Sequence, residues 1–158
     1  MNIRRAYLGL YWGPRPVSLG AAAAICMLGF DELRGAGFST FYLKGPSKKE
    51  ALKRQFVPTG DTVRELLAKG RNRRDSDQSV IDELGYSLSL WSGSVEEESY
   101  DVSYLVGSSS KFVKNSLVLN LPARGQFSLT ENEAEMRSLL SKLAIVFEPD
   151  STALQFIA

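Results

Sequence analysis

The sequence contains no histidine among its 158 residues. This absence excludes Ser–His and Cys–His nucleophile pairs, and it excludes histidine as a metal ligand. It also removes the side chain most often used for proton transfer near neutral pH. We therefore expect a protein that is not an enzyme and that has no catalytic residue, no metal ion and no cofactor.

Cysteine and long apolar runs are also scarce. Cys26 is the one cysteine, so an intrachain disulfide is impossible and a reducing compartment is expected. No window approaches the roughly 18 apolar residues of a membrane span. The stretch Gly13-Pro14-Arg15-Pro16 interrupts the apolar run that follows Arg4 and Arg5, which argues against a signal peptide. These observations predict a cytoplasmic protein that does not contact membranes.

The overall amino-acid composition is that of an ordinary soluble domain. A hydrophobic fraction of 44% and a charged fraction of 23% are typical of a globular protein and exclude a disordered one. No stretch has the composition of a linker, so we expect a single domain spanning residues 1–158.

The net charge of +1 hides a strong segregation of charge. Between Lys44 and Arg74 there are ten basic and three acidic residues, a net of +7. Between Asp75 and Asp101 there are eight acidic residues and no basic one, a net of −8. Two opposed charge blocks side by side indicate a surface that meets a charged partner.

Hydrophobic periodicity predicts an α+β domain: an antiparallel sheet of about five strands with two long amphipathic helices packed on it. The order is strand, helices, three-strand meander, helix, strand. The predicted strands are Ile3–Trp12, Tyr86–Trp91, Tyr100–Val106, Ser116–Leu121 and Thr152–Ile157. The long helices are predicted over Leu19–Arg34 and from a capping box at Thr130–Glu133 to about Phe147, with short helices at Ser47–Arg54 and before Gly70.

The strand Tyr86–Trp91 has the clearest alternation in the chain. Its leucines are expected to face the core, and Ser87, Ser89 and Trp91 the opposite side. Serines on that second face suggest that part of the sheet faces solvent or a partner. Trp91 lies at the mouth of an acidic loop, a position that suits an interface hot spot.

The charged residues allow three alternative kinds of site: a metal site, an enzyme active site and a nucleic-acid interface. Asp75, Asp77 and Asp82 lack the glycine and the closing glutamate of a calcium loop, so a metal site is disfavoured. A small enzyme using the carboxylates near Asp75 has no specific signal behind it. The basic stretch Lys48–Arg74 could bind nucleic acid through phosphate contacts, but it lacks interleaved aromatics and a helix-turn-helix. Pairing with the acids Asp75, Asp77, Asp82 and Glu83 is the favoured alternative for those cations.

Several blocks taken in order resemble a known family. They are YWGPRP (11–16), KG (44–45) with KKEAL (48–52), GRNRRD (70–75), ELGYSLSLWSG (83–93) and EPD (148–150). Together they resemble the immunity protein 52 family of bacterial polymorphic-toxin systems, over nearly the whole chain. The residues that carry the resemblance are Trp12, Gly13, Arg15, Gly70, Arg71, Arg74, Asp75, Gly85, Trp91 and Gly93.

The resemblance implies a non-enzymatic inhibitor that binds a cognate toxin protein delivered by type VI secretion. It also implies that this toxin is a nuclease of restriction-endonuclease fold, and that the inhibitor itself binds no nucleic acid. Because a nuclease presents a cationic cleft to DNA, an acidic surface is suited to cover it. The candidate toxin-binding residues are Asp75, Asp77, Trp91, Glu96, Glu97, Glu98 and Asp101.

Overall fold

The computed structural model describes residues 4–45, 47–94 and 96–157. These residues form seven strands and four α-helices. The strands are β1 (Ala6–Trp12), β2 (Phe41–Leu43), β3 (Gln55–Phe56), β4 (Tyr86–Trp91), β5 (Asp101–Val106), β6 (Asn115–Leu121) and β7 (Ser151–Phe156). The helices are α1 (Leu19–Gly35), α2 (Lys48–Ala51), α3 (Gly60–Lys69) and α4 (Glu133–Phe147). Ile3, at the start of the first predicted strand, lies outside the described residues.

All seven strands join one antiparallel sheet in the order β3-β2-β4-β5-β6-β1-β7. The α+β class is confirmed, but the predicted number of about five strands is too low. The two additional strands are β2 and β3, which have three and two residues. Segments of that length are too short to show an alternating pattern.

The core lies on one face of the sheet. The leucines, valines and Tyr104 of the central strands are buried there against the inner sides of α1, α3 and α4. In α1 the small residues permit close approach, and a Cβ on Gly29 would lie 2.6 Å from the Tyr104 hydroxyl. Ser18 caps α1 by accepting from the backbone N–H of Ala21, as a serine before a helix commonly does.

The capping box predicted at Thr130–Glu133 is wrong. Asn132 precedes the first turn of α4 and its side chain makes no cap hydrogen bond. The hydrogen-bonded pair lies two residues earlier, where the Glu131 N–H donates to Ser128 Oγ at 3.3 Å. The same sequence spacing, Ser-x-x-Glu, fixes the turn that leads into the helix.

The buried hydroxyl of Tyr104 provides a stability test. It has no hydrogen-bond partner within the described parts of the chain, and burial raises the pKa of this phenol well above its ordinary value. An unpaired buried hydroxyl carries a desolvation cost. Tyr104→Phe is therefore expected to raise the free energy of unfolding by about 1 kcal/mol.

Tyr100 provides the matched control, because its hydroxyl donates to the Thr40 carbonyl at 2.7 Å. Tyr100→Phe is expected to lower the free energy of unfolding by about 1 kcal/mol. Urea unfolding of both variants makes the comparison. The interpretation of the Tyr104 hydroxyl is wrong if its removal destabilises the protein as much as the removal of the Tyr100 hydroxyl.

Candidate functional site

Trp91 and Asp101 lie side by side at one end of the sheet. Trp91 closes β4 and pairs with Asp101, the first residue of β5, and with Tyr42 of β2. The Trp91 and Tyr42 ring centroids are 6.4 Å apart, and the indole is partly buried. The Asp101 carboxylate accepts a hydrogen bond of 2.7 Å from the Asn120 amide. Two of the predicted toxin-binding residues are therefore brought together.

A cleft of about 350 Å³ opens beside this pair. Its walls include Trp91 and Asp101 together with Lys44, Lys48 and Ala51. The first lysines of the basic block therefore border the acidic end of the sheet. The two signs of charge, which are segregated in the sequence, meet in space.

The acidic loop connects β4 to β5 at the same end. Glu96–Glu98 forms a single 3-10 turn, and the side chain of Glu96 lies outside the described part. Glu97 pairs with Arg124 at 3.6 Å, with both side chains at least half exposed, and such a pair contributes little to stability. The side chains of Glu97 and Glu98 are exposed and are therefore accessible to a partner.

Asp75 and Asp77 occupy the tip of a hairpin that residues 72–81 form. Its base is closed by the Ile81 N–H, which donates to the Asn72 carbonyl at 2.8 Å. All side chains from residue 72 to residue 78 are exposed. The Asp77 carboxylate accepts from Ser79, and that hydrogen bonding lowers the pKa of Asp77. The tip therefore presents two carboxylates to solvent.

The hairpin stands apart from the Trp91 end. Its base adjoins the start of β4, where Ser87 Oγ donates to the Gly70 carbonyl at 2.6 Å. β4 has six residues, which span about 17 Å at a strand rise of about 3.3 Å per residue. The predicted toxin-binding residues thus form two groups at opposite ends of the meander.

The arginines of the basic block are engaged locally. Arg71 pairs with Asp82 and lies 5.0 Å from the centroid of the Tyr86 ring. Arg73 donates to the Gln78 carbonyl at 3.0 Å, and Arg74 donates to Ser79 Oγ at 3.1 Å. The predicted pairing with acids is confirmed for Arg71 and Asp82. Arg73 and Arg74 instead hold the hairpin together through hydrogen bonds within it.

The motif residues Trp12, Gly13 and Arg15 join the end of β1 to the end of α4. Trp12 stacks on Phe147, with ring centroids 5.4 Å apart. The Gly13 N–H donates to an Asp150 carboxylate oxygen at 2.8 Å. The Arg15 guanidinium donates to the carbonyl of Phe147 and, at 2.8 Å, to that of the next residue. These three residues therefore have a structural role, because they hold the end of β1 against the end of α4.

The structure also explains why glycine occupies three of the motif positions. Gly70 ends α3, as the sequence predicts, and its backbone lies directly against β4. Gly85 and Gly93 flank β4 at φ +70° and +74°, a backbone region that non-glycine residues rarely adopt. Packing around β4 thus explains these three motif glycines, whereas Asp75 and Trp91 belong both to the motif and to the predicted toxin-binding residues.

Among residues 4–45, 47–94 and 96–157, no three metal-ligating side chains gather at one point. In the same residues, no helix has the length and apolarity that crossing a membrane requires.

Sequence reasoning overlooked the aromatic side chains beyond Trp91 on its face of the sheet. Tyr7, Tyr11 and Tyr42 share that face, as the strand register shows. The alternation of β1 places Tyr7 and Tyr11 together, but only the order of the strands relates them to Trp91.

One known family matches the chain. The model of Immunity protein 52 matches residues 5–155. No curated protein matches the chain.

Proposed function

Because the chain belongs to the Immunity protein 52 family, we propose that it neutralises a nuclease toxin of restriction-endonuclease fold delivered by type VI secretion. Family membership makes it an immunity protein whose partner is a cognate toxin. The proposed mechanism is steric and electrostatic: the protein covers the DNA-binding or active-site cleft and catalyses nothing. It acts as one domain, residues 1–158, in the cytoplasm of the producing cell.

The observation that carries the proposal is the family match over residues 5–155. The placement of the acids supports the choice of a nuclease. Asp75 and Asp77 form an exposed tip, and Glu97 and Glu98 form an exposed turn. A cleft that holds DNA is cationic, and acidic projections are complementary to it.

The arginines at the end of the basic block bear on the alternative function, nucleic-acid binding. Arg71 is paired, and Arg73 and Arg74 are bound within their own hairpin. These engagements support a structural role for the three arginines and argue against phosphate binding through them. A gel shift at low salt is expected to show no retention of DNA or RNA by the free protein.

The proposed function is tested with the product of the neighbouring gene, which we expect to carry the toxin domain. Equimolar protein is expected to abolish DNA cleavage by that domain. Reversing the acidic turn, with Glu96→Lys, Glu97→Lys and Glu98→Lys together, is expected to weaken inhibition about 10- to 100-fold, mainly through slower association. The effect is expected to shrink in high salt.

The control is a second triple reversal on the opposite side of the sheet. Asp31, Glu65 and Glu135 are exposed on α1, α3 and α4, and their replacement by lysine changes the net charge by the same amount. Inhibition is expected to survive it within about threefold of the wild type. Equal losses from the two triple variants would show that only net charge matters, and full inhibition by the Glu96–Glu98 variant would remove the acidic turn from the interface.

A further inference from the structure

One entire face of the sheet lacks a helix in the described part of the chain. The helices α1, α3 and α4 contribute their buried residues to the other face, and α2 borders the uncovered face only near Trp91. We call this uncovered side the open face. The strand register assigns it 17 positions.

The open face has an unusual composition for a surface that meets only water. It holds four large aromatics, Tyr7, Tyr11, Tyr42 and Trp91, together with five serines. Asp101 is its one charged residue, although the chain's charged fraction of 23% would give about four in 17. Interface centres are depleted of charge and enriched in tyrosine and tryptophan. Tyrosine with serine and asparagine is also the chemistry of antibody paratopes.

The side chains of this face are arranged in rows across the strands. The row nearest the acidic turn runs Trp91, Asp101, Asn120, Tyr7 and Gln155. Within it the Asn120 amide donates to Asp101 at 2.7 Å, and the Tyr7 hydroxyl donates to Gln155 at 3.3 Å. These bonds hold the polar groups in place before a partner arrives, which lowers the entropy cost of binding.

The two acidic groups lie at the two ends of this face. The turn Glu96–Glu98 follows Trp91, and the hairpin with Asp75 and Asp77 adjoins the start of β4. A face with four large aromatics and one charge, set between two charged ends, has the anatomy of a protein interface. Its five long strands give a flat footprint of about 400 Å² at a spacing of about 4.8 Å, and the ends enlarge it toward the roughly 800 Å² of a standard interface.

Charge decides which partner fits. Two copies of this chain meeting face to face would bury two Asp101 carboxylates against each other, because the strand register gives the open face no cation and the nearby Lys44 and Lys48 lie at its margin. A buried charge without a counter-ion is costly. A partner that offers one lysine or arginine to Asp101 and to the adjacent Trp91 ring satisfies both groups.

We propose that the cognate toxin docks on the open face, with an uncharged patch over the serines and one cationic side chain between Trp91 and Asp101. The acidic turn and the acidic hairpin then contact the cationic margins of the toxin. This proposal rests on the proposed function, because it assigns the surface through which the toxin is bound.

Two single variants test the centre of the face. Ser89→Arg and Ser103→Arg alter neighbouring hydroxyls on β4 and β5 that contact each other at 3.0 Å. Each is expected to weaken binding of the neighbour-encoded toxin domain at least 100-fold in calorimetric titration, because a bulky charge at the centre prevents contact. Ser138→Arg introduces the same side chain at an exposed position of α4 and is expected to leave affinity within threefold of the wild type.

Asp101→Asn tests whether a cationic side chain of the toxin contacts Asp101. It is expected to weaken binding about tenfold and to reduce the salt dependence of affinity, whereas a merely structural Asp101 would leave that dependence unchanged. Urea midpoints and circular dichroism of all variants are compared with the wild type to show that they fold.

The outcomes separate the two proposals. If the wild type binds the toxin domain and folded Ser89→Arg and Ser103→Arg bind it within threefold, the open face is not the docking surface, while the proposed function stands. If the wild type does not bind the toxin domain, the proposed function itself fails. A free protein that sediments as a dimer and becomes monomeric on Ser103→Arg would assign the open face to a second copy and overturn the toxin assignment.

Discussion

Replacing Gly70 by alanine is expected to lower the free energy of unfolding by about 3 kcal/mol or more. A Cβ on Gly70 would lie 1.8 Å from the carbonyl oxygen of Ser87. The backbone fixes the position of a Cβ, and the carbonyl oxygen is itself a backbone atom, so no side-chain rotation relieves the clash. The end of α3 must move away from β4, and the hydrogen bond from Ser87 Oγ to the Gly70 carbonyl is lost with it.

Urea unfolding of Gly70→Ala measures this effect, and Gly20→Ala is the matched control. Gly20 lies in the first turn of α1, and a Cβ there would meet nothing within 4 Å. Because alanine favours helix over glycine, the control is expected to raise stability by up to about 1 kcal/mol. A loss below about 1 kcal/mol in Gly70→Ala would contradict the described packing of α3 on β4.

The second large effect is expected at Arg15. Its guanidinium donates to the last carbonyls of α4, those of Phe147 and Glu148, and it lies 5.5 Å from the centroid of the Trp12 ring. A cation at a helix C-terminus also interacts favourably with the helix dipole. Arg15→Ala removes these contacts and is expected to lower the free energy of unfolding by about 2–3 kcal/mol.

Arg15→Lys separates charge from geometry. Lysine keeps the positive charge but cannot donate to two carbonyls in the fixed fork of a guanidinium. Its expected loss is about half that of alanine, because the dipole interaction is retained. Exposed Arg34, in the last turn of α1, gives the background: Arg34→Ala is expected to change stability by about 0.5 kcal/mol or less. If Arg15→Ala behaves like Arg34→Ala, the junction does not depend on Arg15.

The sequence predicts those helices and strands in which the hydrophobic pattern repeats over six or more residues. Strict alternation identifies β4, β5 and β6, and three- and four-residue spacing identifies α1 and α4. β2 and β3 are not predicted, because they are too short to show an alternating pattern. The position of β1 between β6 and β7 is not predicted for a different reason. Leu8 pairs with Leu119 and with Leu154, which lie more than 100 positions away in the sequence. No local pattern encodes such pairs.

The candidate site was only partly predictable. Charge counting along the chain finds the acidic turn and the acidic hairpin, but it implies one acidic surface and one basic surface. In the structure β4 separates the two acidic groups, and each lies near a part of the basic block: Lys44 and Lys48 near Asp101, and Arg71 with Asp82. The aromatic open face was visible only as serines opposite the core, because its tyrosines come from β1 and β2, which are far from β4 in sequence.

The central claim is that this protein acts by binding a toxin, and calorimetric titration with the neighbour-encoded toxin domain tests it most directly. A saturable 1:1 complex with nanomolar affinity is predicted, together with loss of DNA cleavage at the equivalence point. Absence of binding heat at several temperatures, with DNA cleavage unaffected by excess protein, would contradict the claim.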